Sequence, residues 1–96
     1  MVIGIMKVRL FSGEPQSLKD KRHIVKSLIE RLKNKFNISV AETGAQDLWN
    51  NCELGVACVS NEGSHADSMM SAVINFIEFN GLLEITDYST ELVHLD

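Results

Sequence analysis

The sequence predicts an α/β sandwich of the α+β kind: a four-stranded antiparallel sheet carrying two helices, in the order β-α-β-β-α-β. Three observations carry that prediction. Apolar residues recur at helical spacing over residues 17–36 and again over 64–80. Four other stretches alternate with a period close to two. Short breaks built from Gly, Pro and Asn separate them. At 96 residues the chain is expected to form one domain, 1–96, with a small but workable core.

The first strand is expected over Val2–Phe11. Val2, Met6, Val8 and Leu10 share one face with Gly4, and Ile3, Ile5, Lys7, Arg9 and Phe11 share the other. One side is fully apolar and the other half so, which suits a central position. Ser12-Gly13-Glu14-Pro15-Gln16 breaks the strand, because Gly frees the torsions and Pro fixes its own φ.

Ser17 follows as an N-cap, with Asp20 three residues on as a capping-box variant. Leu18, Ile24, Val25, Leu28, Ile29, Leu32 and Phe36 fall within an arc of roughly 140°, and Lys19, Arg22, Lys26 and Lys33 within roughly 60° opposite. Glu30 is placed to pair with Lys26 and Lys33. Asn37 ends this helix. A second strand is expected over 38–43, closed by Gly44, and a third over 52–60. In the third, Leu54, Val56 and Cys58 face one way and Glu53, Gly55, Ala57 and Val59 the other. Trp49, in the connection between them, is read first as a lid over the core, with an exposed partner anchor as the alternative.

Asn61-Glu62-Gly63 turns the chain, and Ser64 with Asp67 offers a second capping box. Ala66, Met69, Met70, Val73, Ile74 and Ile77 form the expected buried face of the second helix, and Asn80-Gly81 its stop. Phe79 stands apart from that stripe. The last element, 82–95, is expected to be a strand with a bulge or bend over 87–90. Two βαβ units sharing one antiparallel sheet form the ferredoxin-like split, with strand order 4-1-3-2 and both helices on one face. Ile3, Ile5, Phe11, Ala41 and Val59 then lie on an uncovered face, for a partner or a shallow binding surface.

The formal charge of −4 hides a strong asymmetry. All nine Lys and Arg residues lie in the first 40 residues against three acids, for +6, while the other 56 residues carry ten acids and neither cation, for −10. A bipolar molecule of this kind steers polyanions or orients subunits, unless neighbouring elements compensate one another. No apolar run is long enough to span a membrane. Lys7 and Arg9 follow the N-terminal apolar run rather than preceding it, unlike a signal peptide, so a cytoplasmic protein is expected. Cys52 and Cys58 fit neither a redox pair nor a disulfide scaffold and are expected as reduced thiols.

Chemistry-bearing constellations are missing. The six glycines are dispersed, so no phosphate loop or dinucleotide fingerprint forms and no cofactor is expected. His23, His65 and His94 are read as solvated or capping side chains, and no metal-ligand spacing or catalytic set is found. Stacking of bases on the sheet needs aromatics on its middle strands, and Phe11 is the sole candidate. The basic helix is the alternative route, with Lys19, Lys21, Arg22, Lys26 and Lys33 as a phosphate or partner surface.

Residues 2–12, Ser17-Leu18-Lys19-Asp20-Lys21-Arg22, Phe36-Asn37-Ile38-Ser39-Val40-Ala41-Glu42, Asp47-Leu48-Trp49 and Leu54-Gly55-Val56-Ala57 resemble the small bacterial YlxP-like family, a domain of unknown function. The resemblance implies a ferredoxin-like fold, frequent dimers, and genes beside transcription-termination and translation-initiation factors. It transfers no catalytic residue, but marks Glu42, Asp47 and Trp49, beside Lys19, Lys21 and Arg22, as a shared surface. The expectation is a non-enzymatic accessory factor, associated with RNA or the ribosome and acting as a homodimer. The alternative is a structural or protein-interaction module that self-associates through the open sheet face.

Overall fold

A computed structural model describes residues 1–13, 17–45, 48–80 and 83–96. Its elements are β1 (Val2–Phe11), α1 (Leu18–Lys35), β2 (Ser39–Gly44), β3 (Asn51–Ser60), α2 (Gly63–Asn80) and β4 (Glu84–His94). One antiparallel sheet of order β2-β3-β1-β4 results, the expected 4-1-3-2 read from the other edge. Asp47, the Glu14-Pro15-Gln16 break and the Gly81 helix stop lie outside the described residues.

The alternation of β1 organises the sheet. All ten of its residues pair with β3, from Val2 opposite Ser60 to Phe11 opposite Asn51, and the same strand pairs with β4 on its other side. Val2, Met6, Val8 and Leu10 therefore meet Cys52, Leu54, Val56 and Cys58 on one face, and both helices close over it. From α1 come Val25, Leu28 and Leu32; from α2 come Ala66, Met70, Val73, Ile74 and Ile77. Phe36 and Phe76 join the two helices edge to face, with ring centroids 5.8 Å apart. Helix α2 approaches β1 so closely that a Cβ added at Gly4 would stand 3.0 Å from Cys58 Sγ and 3.5 Å from Ala66 Cβ.

Local signals hold in α1 and shift in α2. Ser17 Oγ accepts from Asp20 N at 3.1 Å, as a capping serine should. Ser64, by contrast, lies inside the first turn of α2, which begins at Gly63. The first helical carbonyl is that of Glu62, which accepts from Ala66 N at 3.1 Å. The hydroxyl at this corner is that of Ser60, which accepts from Glu62 N at 3.1 Å and lies 3.0 Å from His65 Nδ1. The irregularity in β4 also falls earlier than 87–90. Arg9 is opposite Asp87 and Leu10 opposite Ile85, so Thr86 is the extra residue, its Oγ1 donating to Arg9 O at 3.3 Å.

The outer sheet face is open as expected. Val59, Ile3 and Val93 form one cross-strand row there, with Ile5 in the next row, and Val59 is 67% exposed. Phe79 is 92% exposed and covered by no terminal segment. Substituting Gly4 by Val should destabilise the fold by about 1–3 kcal/mol, because the added methyls press on Cys58 and Ala66 in a closed layer. Chemical denaturation of the variant beside Gly4→Ala would check this, the alanine losing less.

Candidate functional site

Among the described residues the most deeply buried charged group is Lys21. It lies four residues before Val25 and seven before Leu28, so the helical period places it on the buried stripe of α1, and it is 2% exposed. The structure thus removes it from the solvent-facing basic set in which composition alone groups it. A buried ammonium needs partners. Its Nζ stands 3.2 Å from Glu42 Oε2 on β2 and donates to Ala45 O at 2.6 Å. Ala45 adopts φ 59, a left-handed turn that costs about 1 kcal/mol for a residue with a Cβ. That carbonyl also accepts from Leu48 N at 3.2 Å. Three residues therefore tie the first turns of α1 to β2 and to the β2–β3 connection.

Cys52, at the start of β3, faces the same group. It is buried, as a reduced thiol on the core side of β3. Desolvation first, then the charge of Glu42 and a hydrogen bond to it, push its thiol up to about 12, with Lys21 opposing. On the outer face Arg9 Nη2 stands 3.5 Å from Glu53 Oε1, and Thr43 Oγ1 donates to Glu53 Oε2 at 2.9 Å.

The other basic residues stay in solvent. Lys19, Arg22, Lys26 and Lys33 are exposed along α1. Among the described residues, none of the four stands within 4.0 Å of a carboxylate, and Glu30 engages neither Lys26 nor Lys33 at that distance. Arg31 and Lys35, on another flank, turn to Asn80 and to the Phe76 ring, the latter at 5.9 Å. Between α1 and β2 runs an open cleft of about 300 Å³ lined by Val25 and Ile29, by the cations Arg22, Lys26 and Lys33, and by the carboxylates Glu30 and Glu42. Trp49 is 48% exposed and Leu48 is exposed beside it, so the indole is not a lid on the core. Asn50 O accepts from Ser12 N at 3.0 Å, which anchors the connection on the far side of Trp49.

Among the described residues no group of three or more His, Cys, Asp and Glu side chains is placed to hold a metal ion. None of the described helices is long and apolar enough to cross a membrane.

Two substitutions test this geometry. Lys21→Met should destabilise the protein by about 3 kcal/mol by leaving the partly buried Glu42 carboxylate without its cation. Adding Glu42→Gln should restore part of that loss in equilibrium unfolding. The Cys52 thiol should resist alkylation at pH 8 in the folded protein and react on unfolding. Because its folded pKa lies above the ordinary 9.0, folding stability from this group is complete below pH 9 and declines as pH rises toward 12. Cys52→Ala should flatten that alkaline limb.

The chain belongs to the family described as "Protein of unknown function (DUF503)", which matches residues 3–90. It is 33% identical over 90 residues to the uncharacterized protein YlxP of Bacillus subtilis (strain 168), a match spanning 94% of this chain and 98% of that protein. Two designed proteins share the fold. One, the de novo designed LFR1 1 with ferredoxin fold, superposes with a TM-score of 0.57 at 15% identity, covering 97% of this chain and 84% of its own. The other, Foldit4, gives 0.51 at 10% identity, with 99% and 98% covered. The fold is ferredoxin-like.

Proposed function

We propose that this family member is a cytoplasmic, non-enzymatic accessory factor that contacts the phosphates of RNA, free or within the ribosome, through α1. The observation that supports the reading is the unpaired state of Lys19, Arg22, Lys26 and Lys33 among the described residues. A basic helix face neutralised by its neighbours would have carboxylates within ion-pair distance, whereas Glu30 and Glu42 share the cleft with these cations without pairing with them. This one keeps its ammonium and guanidinium groups in water, over an arc that follows the helix for about 20 Å at 1.5 Å per residue. Phosphate contact of this kind displaces condensed counterions and carries no base sequence.

Four phosphate contacts imply a measurable salt law. Binding to a structured RNA should fall with a slope of about −3 to −4 in log K against log salt. A variant with Lys19, Arg22, Lys26 and Lys33 all changed to Glu should bind far more weakly, with a nearly flat slope. Equal weak binding by both proteins, or no dependence on salt, overturns the proposal.

A second reading is supported by the row Val59, Ile3 and Val93 with Ile5 beside it, apolar and uncovered on the outer face. Covering that row with a second copy would make a homodimer, or a protein-interaction module, through the sheet. Sedimentation at micromolar concentration, with Val59→Lys as comparison, decides between monomer and dimer.

A further inference from the structure

The cleft between α1 and β2 holds a combination that phosphate contact alone does not require. Arg22, Lys26, Ile29 and Lys33 follow one another at steps of four, three and four residues, so at 100° per residue they form a single row within roughly 60° of arc. An isoleucine therefore interrupts a line of cations, and with Val25 it gives the cleft an apolar wall. Ile29 is half-buried, with one side packed against the core. Asp20, the acid in the first turn of α1, lies roughly 160° around the helix from Arg22 and does not line the cleft.

Two carboxylates line the same space. Glu42 Oε2 stands 3.2 Å from Lys21 Nζ, so its charge is balanced from inside the fold. Glu30 is exposed, next to Ile29 in the chain, and among the described residues no cation stands within 4.0 Å of it. A carboxylate weakens a surface that serves phosphate only, since like charges repel. Beside three cations it is an acceptor for a ligand that brings N–H donors together with negative charge. A nucleotide does so: its phosphate takes the cations, its base has apolar faces, and an amino group on the base donates to a carboxylate. At about 300 Å³ the cleft is at the small end of ligand sites, the size for one base rather than a base pair. Its β2 side is the edge of the sheet, so no further strand closes it and a chain can pass through.

Resting on the phosphate-contact reading above, we infer that the α1–β2 cleft is a pocket for one unpaired, amino-bearing base of single-stranded RNA. The base lies against Ile29, Glu30 accepts from its amino group, and Arg22, Lys26 and Lys33 hold the phosphates on either side. A paired base has its amino group engaged with its partner, so the pocket selects unpaired nucleotides.

Cytidine and uridine decamers separate base from phosphate, since cytosine carries an amino group where uracil carries a carbonyl and the backbone is shared. Titrate each labelled decamer with the full chain over a salt series and follow anisotropy. The cytidine strand should bind about fivefold more tightly than the uridine strand. Duplexes in which the cytidines or the uridines are paired should bind alike. Glu30→Gln, a change at an exposed position, should bring the ratio of the two single strands near one without weakening the uridine strand, because the amide both donates and accepts. Salt-sensitive binding with the two strands equal, or a cytidine preference that Glu30→Gln leaves intact, overturns the base pocket and leaves phosphate contact standing. Equally tight binding of a ten-residue oligoglutamate, which brings charge but no base, overturns the pocket in favour of an acidic-peptide groove. Absence of salt-sensitive binding to any of the RNAs overturns both readings.

Discussion

A lysine with almost no access to solvent is the constraint on which the packing of α1 against β2 and its following loop depends. Burying an ammonium is unfavourable by several kcal/mol unless oxygen atoms surround it. Lys21 obtains them from two elements that are distant in sequence, the Glu42 carboxylate on β2 and the Ala45 carbonyl just beyond it. Satisfying one charge thus sets three things together: the depth to which α1 sits against β2, the left-handed turn at Ala45, and the start of the loop that carries Trp49. An apolar residue at position 21 could fill the space, but would not specify where the loop begins.

Cys52 shows the same economy from the other side. It stands in the layer that receives the Lys21–Glu42 pair, so its thiol is kept protonated by lack of water and by a neighbouring carboxylate. A thiol held that way is a packing group, not a nucleophile. The polar cluster is thus a structural device.

Much of this was legible in the sequence, where a period applied. The alternation of β1 and β3 and the stripes of both helices placed the core correctly, and the small outer residues Gly55 and Ala57 marked β3 as a central strand. The Lys21–Glu42 pair was legible too, though hidden by composition. Lys21 shares the spacing of Val25, Leu28 and Leu32, while Glu42 follows Val40 on the inward side of β2, so two periodicities point the two charges at one another. Signals that depend on one hydroxyl or one extra residue were less secure. Ser60 and Ser64 both precede or open α2, and only the backbone geometry selects Ser60. The β4 bulge sits at Thr86 because that hydroxyl can reach Arg9 O, a tertiary partner that no local pattern encodes. The hydrogen bond that fastens Ala45, ahead of Trp49, likewise comes from a residue 24 positions away, Lys21.

The charge asymmetry of the sequence becomes a spatial one through topology, and unequally. Strand β1 carries Arg9 into the middle of the sheet, where Glu53 is on one side of it and Asp87 on the other. That cation is compensated by the fold. Helix α1 packs against β2 at one edge of the sheet, whereas α2 packs against β1, β3 and β4. The acids Glu84, Asp87 and Glu91 are on β4, the opposite edge strand from β2. Two intervening strands at 4.7–4.9 Å spacing separate those edges by roughly 14 Å, beyond the Debye length of about 8 Å at physiological salt. The acidic edge therefore neither neutralises the α1 cations nor strongly repels a strand that approaches them. What distinguishes the α1 cations from Arg9 is thus their place in the sheet order, not their number.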